Sequence, residues 1–202
     1  MPSKFRVRGF FRGIVLRIAR PLARAGVSPN SITYASLFFA LCAFLVLPLT
    51  DSPILFGILV FVTGLLDGVD GSVARLTESS STTGGLIDSV VDKASEVLIL
   101  TGIALRYQDA IFLGLSVELW VIFAIFGWLM TSYTRARAES LEVSDLDIGV
   151  GGRSERLLTL VIFSIFGFIL WGLLVVTIMG FATAGYRLYH YKQQLSARES
   201  NN

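Results

Sequence analysis

Charged side chains, cysteine and histidine are all scarce in this chain of 202 residues. Only 16% of the residues are Asp, Glu, Lys or Arg, whereas 53% are hydrophobic and the mean hydropathy is +0.69. This composition excludes an ordinary soluble domain, and the length allows one compact bundle, so residues 1–202 are expected to form a single membrane domain. The one cysteine, Cys42, lies in an apolar run and excludes an internal disulfide. A polytopic membrane protein is therefore predicted.

Residues 1–27 lack an uninterrupted hydrophobic run, because arginines break every apolar stretch, and this excludes a cleavable signal peptide. The large apolar side chains recur every four residues, at Ile14, Ile18 and Leu22. Arginines lie on another helical face, at Arg17, Arg20 and Arg24. This pattern predicts an amphipathic helix that lies in the membrane interface, with a solvated basic tail as the alternative.

Six spanning helices are predicted within residues 30–195, at about 20 residues for each crossing. The first four are predicted at residues 32–50, 54–75, 84–105 and 110–137, with Asn30 or Ser31 as the first cap. The segment between Arg156 and Arg187 has no charge and can hold the last two helices with a tight turn near Gly172. One long helix with a re-entrant piece is the alternative. The fold class expected is an all-α integral membrane bundle that follows an amphipathic helix.

Basic residues are unevenly distributed along the chain. Seven of the 17 Lys and Arg residues precede residue 25. With six helices, most of the others fall on the same side as both termini, while the opposite turns carry only Arg106. The positive-inside rule then predicts that both termini and the site described next face the cytoplasm of the cell membrane.

Four aspartates lie in the polar halves of the second and third predicted helices: Asp67, Asp70, Asp88 and Asp92. A charge at the centre of a bilayer costs about 2.5 to 3.5 kcal/mol on the mildest scales, so such a cluster indicates a functional site. Spacings of three and four residues place the two members of each pair on one helix face. Glu96 continues the four-residue step and is expected to be structural. Four carboxylates that face each other need cations between them.

The residues around the aspartates predict chemistry on phosphate. Oxygen ligands without His or Cys favour Mg²⁺ or Mn²⁺, and Mg²⁺ often shares its coordination with substrate phosphates. Gly71, Ala74 and Gly84 leave space beside the acids, and Arg75 offers a guanidinium to phosphate oxygens. We therefore expect phosphoryl transfer with two metal ions and one carboxylate as general base. A divalent-cation channel or transporter and a non-catalytic scaffold are the alternatives.

Nine residues at fixed spacing make the acidic stretch specific. They read Asp67-x-x-Asp70-Gly71-x-x-Ala74-Arg75, then eight residues, then Gly84-x-x-x-Asp88-x-x-x-Asp92. This pattern resembles the signature of the CDP-alcohol phosphatidyltransferases, integral membrane enzymes that make phospholipids. The resemblance implies that an alcohol hydroxyl attacks the β-phosphate of a CDP-linked lipid, whose chains are acyl esters or ethers, and that CMP leaves.

The resemblance also implies roles for individual residues. All four aspartates bind metal, and Asp92 also acts as the base. The positions that match contacts with the CDP-lipid are Asn30, Ser31, Ile32, Thr33, Gly71, Ala74, Arg75, Ser81 and Gly84. A homodimer without a nucleic-acid partner is implied as well.

The acceptor is indicated by residues outside the acidic stretch. Residues 133–139, together with Glu155-Arg156-Leu157, resemble the branch that uses inositol phosphate, the phosphatidylinositol phosphate and archaetidylinositol phosphate synthases. This chain has Arg135 where that branch commonly has Lys, and Gly-Arg-Ser-Glu-Arg at 152–156 where it commonly has Glu-Arg-Pro-Glu-Arg. The expected ligands of the acceptor phosphate are Arg135, Arg153, Arg156 and Arg187. Glycerol phosphate, serine and free inositol are the alternative acceptors.

Overall fold

The computed structural model describes residues 7–146, 148–149 and 151–199. Its described residues form seven α-helices and one short hairpin. The helices are α1 (Val7–Arg24), α2 (Pro29–Thr50), α3 (Pro53–Leu76), α4 (Thr82–Arg106), α5 (Val117–Ser140), α6 (Arg153–Ile165) and α7 (Ile169–Glu199). The hairpin pairs β1 (Ile111–Phe112) antiparallel with β2 (Leu115–Ser116). The all-α prediction is confirmed.

Four of the described helices, α2, α3, α5 and α7, are long and apolar enough to cross a membrane. The chain is accordingly a multi-pass membrane protein. The helix α6 has 13 residues, which is about 20 Å at 1.5 Å per residue and shorter than a hydrocarbon core of about 30 Å. The helix α4 has 25 residues but carries four charges between Asp88 and Glu96. Six crossings therefore stay a prediction.

Four helices are preceded by a serine that caps them: Ser28, Ser52, Ser81 and Ser116. Each Oγ accepts a hydrogen bond from the backbone N–H three residues further on, which satisfies a donor that the helix itself leaves unpaired. The prediction that Asn30 or Ser31 caps the first spanning helix was wrong. Pro29, which has no N–H to satisfy, takes the first helical position, and the helix begins there.

Two other predicted boundaries were wrong. The helix α5 begins at Val117 rather than residue 110, because the hairpin takes up the preceding residues and turns through Leu113 and Gly114 at positive φ. The turn between α6 and α7 lies at Gly167, whose φ is +77°. Gly172 lies within α7 instead, where a Cβ atom would come 2.6 Å from the Cβ of Phe163. It permits the close approach of α6 and α7 rather than a turn.

The apolar core lies where the helices of the bundle meet. The helix α2 packs against α3 and α4, α5 packs against α7, and α6 packs against α3 and α7. The buried indole of Trp128 on α5 donates from Nε1 to the carbonyl of Val176 on α7, over 3.2 Å. Thr131 Oγ1 donates to the carbonyl of Gly180, over 2.9 Å. These bonds fix α5 against α7 at the end where their arginines emerge.

The helix α1 forms as its amphipathic pattern predicts and packs an apolar face against α3, and its position in the membrane interface stays a prediction. Ile18, Ala19 and Leu22 pack in a cluster with Val69 of α3. Ile14 was predicted on this face but is 44% exposed, because the buried stripe is displaced by one position. The arginines on the other face are exposed: Arg17, Arg20 and Arg24. Residues 1–6 of the predicted amphipathic segment lie outside the described residues.

The loop between α5 and α6 is attached to the C-terminal part of α7. Tyr191 Oη donates to the carbonyl of Leu146 over 2.8 Å, and Arg187 Nε donates to the carbonyl of Ile148 over 3.0 Å. A small apolar cluster that includes Ala138 and Tyr191 supports the same contact. The extension of α7 therefore positions this loop beside the polar ends of the other helices.

The C-terminal end of α4 carries an ion pair. Arg106 Nε donates to Asp51 Oδ1, the cap residue that follows α2, over 2.5 Å. This hydrogen bond lowers the pKa of the Asp51 carboxyl below its usual value, against a small opposing effect of desolvation. The contact links α2 to the end of α4.

Candidate active site

Three of the predicted metal ligands lie together where α3 meets α4. Asp67, Asp70 and Asp88 each offer a carboxylate oxygen within 4.8 Å of the others. Asp70 is buried, and its Oδ2 accepts a hydrogen bond of 2.6 Å from Thr33 Oγ1 on α2. Three hard oxygen donors at this separation fit one Mg²⁺ or Mn²⁺ ion that shares its coordination with a phosphate. The chain therefore has a cluster of three aspartates suited to a divalent cation.

Asp92 lies one helical turn beyond Asp88 and contacts an arginine. Its Oδ1 forms an ion pair of 2.8 Å with Arg153 Nη1. The same nitrogen pairs with Asp67 Oδ1. Arg153 is the first residue of α6, and its side chain is only 10% exposed. One buried guanidinium thus bridges carboxylates from α3 and α4.

Glu96 lies one further turn along α4 and is 2% exposed. Its Oε1 contacts three cations: Lys93 Nζ at 2.8 Å, Arg153 Nε at 3.3 Å and Arg156 Nη2 at 3.8 Å. Its Oε2 has no hydrogen-bond partner among the described residues. The sequence predicts a structural role for Glu96, and the four-residue step from Asp88 through Asp92 is the signal that places it beside the site. It offsets the positive charge of the arginines buried next to it.

A cavity of about 600 Å³ opens between α1, α3, α4 and α6. Its polar wall includes Asp67, Asp70, Gly71, Arg75, Asp88 and Asp92. Its apolar wall includes Val60, Phe61, Leu157 and Val161. A cavity with one acidic wall and one apolar wall suits an amphiphilic ligand that reaches it with a cation. We call it the acidic cavity.

The residues predicted to contact a CDP-lipid fall into two groups near the acids. Arg75 Nη1 lies over Gly71, 3.4 Å from where a Cβ atom would be, and Arg75 Nη2 donates to Ser72 Oγ over 3.1 Å. A Cβ atom at Gly84 would lie 2.9 Å from Ser81 Oγ and 3.6 Å from Asn30 Oδ1. Asn30, Ser81 and Gly84 therefore meet where α2 and α4 begin.

The remaining members of that predicted set have other neighbours. Thr33 donates to Asp70, so it supports an acid. Ser31 Oγ lies 2.8 Å from Ser28 Oγ, and Ile32 packs in the cluster between α1 and α3. Ala74 is half-buried. Of the predicted set, only Gly71 and Arg75 line the acidic cavity.

A second cavity, of about 730 Å³, lies between the polar ends of α4, α5, α6 and α7. All four arginines predicted to bind the acceptor line it: Arg135, Arg153, Arg156 and Arg187. The polar residues beside them include Ser132, Tyr133, Glu139 and Glu155. Several cations with hydroxyl and carboxylate groups suit a phosphorylated polyol. We call it the cationic cavity.

Two of these arginines are held rigidly by the chain. Arg156 is 1% exposed, donates from Nη1 to the carbonyl of Gly151 over 3.0 Å, and has its guanidinium 4.6 Å from the ring centroid of Trp128. Arg187 is 6% exposed and donates from Nη1 to the carbonyl of Thr131 over 2.7 Å. Their positions are set before any ligand binds.

The two cavities share one wall, formed by Asp88, Asp92, Arg153 and Ser154. Ser154 was missed in the sequence, because only the packing of α6 against α3 and α7 brings it there. Arg153 was assigned to the acceptor alone, yet it contacts Asp67 and Asp92 as well. A group bound in one cavity can reach a group bound in the other across this wall.

The fold and the site define a class, the integral membrane phosphotransferases. The features of this class found here are membrane helices, a carboxylate cluster for a divalent cation and an adjoining cationic cavity. The family model for CDP-alcohol phosphatidyltransferase matches residues 26–187. The chain belongs to the CDP-alcohol phosphatidyltransferase family and is an enzyme.

Its relatives include two kinds of synthase. The chain is 36% identical over 180 residues to the archaetidylinositol phosphate synthase of Pyrococcus horikoshii, which covers 89% of this chain and 91% of that protein. It is 36% identical over 149 residues to the phosphatidylinositol phosphate synthase of Cutibacterium acnes, covering 70% and 67% of the two chains. Its fold is similar to the crystal structure of Mycobacterium tuberculosis phosphatidylinositol phosphate synthase with CDP-DAG bound, with a TM-score of 0.71, 22% identity and coverage of 88% and 93%.

Proposed function

We propose that this enzyme transfers a phosphatidyl-type group from a CDP-linked lipid to a hydroxyl of inositol phosphate and releases CMP. The observation that carries the proposal is the wall shared by the acidic and the cationic cavity. A diphosphate lipid in the acidic cavity and a phosphorylated acceptor in the cationic cavity would meet at this wall. The names of the relatives, archaetidylinositol phosphate synthase and phosphatidylinositol phosphate synthase, support the same acceptor.

The donor is placed in the acidic cavity. Asp67, Asp70 and Asp88 would hold Mg²⁺ or Mn²⁺, which supplies positive charge to the diphosphate. Arg75, which lies over Gly71, donates to phosphate oxygens. The nucleotide extends towards Asn30, Ser31, Ile32, Thr33, Ala74, Ser81 and Gly84. The apolar wall accepts the start of the lipid chains, whether esters or ethers.

The acceptor is placed in the cationic cavity. Arg135, Arg156 and Arg187 bind its phosphate, and Arg153 contributes from the shared wall. Because Arg156 and Arg187 already have fixed orientations, little side-chain entropy is lost when the phosphate binds. The polyol then presents a hydroxyl towards Asp92.

The reaction breaks one P–O bond and forms another. Asp92 lies on the wall between donor and acceptor, so it takes the proton of the attacking hydroxyl. The hydroxyl oxygen forms a bond to the β-phosphorus of the donor, and the bond from that phosphorus to the CMP oxygen breaks. CMP leaves with the electron pair of that bond. The product is a lipid phosphodiester of inositol phosphate.

An acceptor screen tests this proposal. Purified enzyme with one CDP-lipid and Mg²⁺ is given inositol phosphate, glycerol phosphate, serine or free inositol in parallel. CMP release and the mass of the lipid product are measured. We expect turnover with inositol phosphate and little with the others. Turnover only with serine or free inositol would overturn the acceptor assignment.

We further propose the arrangement of this enzyme in the cell membrane. All six helices from α2 to α7 cross or enter the bilayer as one domain, with α1 in the interface. Both termini and both cavities face the cytoplasm, as the excess of arginine at that end favours. Two metal ions and a homodimer complete the assembly. Accessibility of single cysteines introduced at Ser3 and Asp109 to a membrane-impermeant thiol reagent tests the orientation: Ser3 should react only from the cytoplasm and Asp109 only from outside.

A further inference from the structure

We propose that Arg153 competes with the divalent cation for Asp67 and Asp92, and that the acceptor phosphate relieves this competition by attracting Arg153. The second part rests on the proposed function, whereas the first does not depend on which acceptor is used. Arg153 is thereby a positioning residue that couples the occupancy of the cationic cavity to metal binding in the acidic cavity.

The contacts of Arg153 carry the first part. Its Nη1 pairs with an oxygen of Asp67 and lies 2.8 Å from Asp92 Oδ1. Both aspartates are in the set proposed to bind metal, and both side chains are less than one-fifth exposed. An oxygen paired with a guanidinium has fewer lone pairs for a metal ion, and two cations in one poorly solvated site repel each other. Metal binding therefore has to displace or weaken these ion pairs.

The position of Arg153 carries the second part. Its side chain lines both cavities. Its Nε lies 3.3 Å from Glu96 Oε1, so the guanidinium has an anchor besides the two aspartates. A phosphate bound by Arg135, Arg156 and Arg187 adds negative charge on the side away from Asp67. Such a charge draws Nη1 away from the aspartates while Nε keeps its neighbour.

The coupling between the metal ion and the acceptor is positive. If binding of the acceptor removes a competitor of the metal ion, each ligand increases the affinity of the other by the same factor. The enzyme then completes its metal site when the acceptor is present. Without an acceptor, the pairing of Arg153 limits metal binding.

Metal affinity tests the competition without using activity. The dissociation constant of Mn²⁺ is measured by calorimetry on the purified wild type, on Arg153→Gln and on Lys93→Gln. Lys93 is a matched control because it also pairs with Glu96, at 2.8 Å, and this ion pair involves neither Asp67 nor Asp92. We expect Arg153→Gln to bind Mn²⁺ about tenfold more tightly or better, and Lys93→Gln to change by less than about threefold.

Two results would overturn the competition. One is an unchanged dissociation constant in Arg153→Gln, and the other is an equal gain in Lys93→Gln, which would indicate a general effect of charge. If Arg153→Gln does not fold, Arg153→Lys replaces it. Lysine keeps the charge but cannot bridge two carboxylates through a guanidinium, so we expect an intermediate gain, and wild-type affinity contradicts the proposal.

Inositol phosphate, without CDP-lipid, tests the coupling. The Mn²⁺ titrations are repeated at saturating inositol phosphate and corrected for Mn²⁺ bound by inositol phosphate in solution. We expect the affinity of wild type to rise about fivefold and that of Arg153→Gln to rise less than about twofold. Equal gains overturn the coupling. Failure of inositol phosphate to bind overturns the acceptor and the coupling together, and the first experiment still decides the competition.

Discussion

The acidic and the cationic cavity differ in how the chain balances their buried charges. The arginines of the cationic cavity are neutralised or oriented from within: Arg156 by Gly151, Trp128 and Glu96, and Arg187 by the carbonyls of Thr131 and Ile148. The acids of the acidic cavity have Thr33 and Arg153 as neighbours and group three carboxylates within 4.8 Å. The charges of the cationic cavity are thus balanced by the protein itself, whereas the three grouped carboxylates of the acidic cavity are suited to a divalent cation.

The largest effect is expected from neutralising an acid in the group of three. Asp70→Asn removes a proposed metal ligand and keeps the size of the side chain. We expect CMP release to fall by about 10³-fold or more, because charge on the diphosphate is no longer balanced. Asp145→Asn, in the loop outside both cavities, is the control and should keep its rate. A rate near wild type in Asp70→Asn would contradict the role of the acidic cavity.

Replacing the proposed base, Asp92, should lower the rate of the chemical step rather than the binding of a substrate. Asp92→Asn cannot take a proton, so we expect kcat to fall by about 10² to 10⁴-fold with the KM for inositol phosphate little changed. Single-turnover kinetics with saturating donor and acceptor separate the chemical step from binding. An active Asp92→Asn enzyme refutes the assigned base.

A moderate effect on one substrate is expected from Arg135, which lines the cationic cavity and is exposed. Arg135→Gln should raise the KM for inositol phosphate by about tenfold, the effect of one charge-assisted hydrogen bond. Arg135→Lys keeps the charge and should stay within about twofold of wild type. If both variants behave alike, the side chain does not contact the acceptor phosphate.

The smallest effect is expected far from both cavities, at Asp51. Arg106 lowers the pKa of Asp51, so this pair stabilises the fold above the usual pKa of an aspartate, and the contribution disappears as pH falls through the lowered pKa. Asp51→Asn should reduce the thermal unfolding temperature slightly at pH 7, and the difference from wild type should vanish once the pH is below the lowered pKa of Asp51. CMP release should not change. A loss of activity would show that this end of the bundle is coupled to the site.

The sequence predicts the grouping of the aspartates better than it predicts the turns and helix caps of the bundle. Asp67 and Asp70 share one face of α3 because three residues separate them, and Asp88 meets them from α4. The hairpin before α5 and the turn at Gly167 were missed, because each depends on a few residues at positive φ within apolar segments. The cap of the first spanning helix was also missed. The helix begins at Pro29, about one turn before the predicted start at residue 32, and a proline was not expected at the first helical position.

That the two cavities share a wall could not be predicted from the sequence, for another reason. Arg153 lies about 60 positions after Asp92 in the chain, and it reaches Asp92 because α6 packs against α3. The resemblance of residues 152–156 to the inositol phosphate branch implies an acceptor site, and no local pattern indicates ion pairs with aspartates. Contacts that depend on the packing of distant helices are not encoded in periodicity. The roles of the aspartates and arginines in catalysis stay predictions until they are measured.

The central claim is that donor and acceptor bind in two different cavities that share a wall. Its most direct test measures the KM of both substrates in one variant of each cavity. Arg75→Gln changes the acidic cavity and Arg187→Gln changes the cationic cavity, and both substrates are titrated with each variant. We predict that Arg75→Gln raises the KM for the CDP-lipid alone and that Arg187→Gln raises the KM for inositol phosphate alone, each by about tenfold. Variants that both raise the same KM would contradict the assignment of donor and acceptor to different cavities.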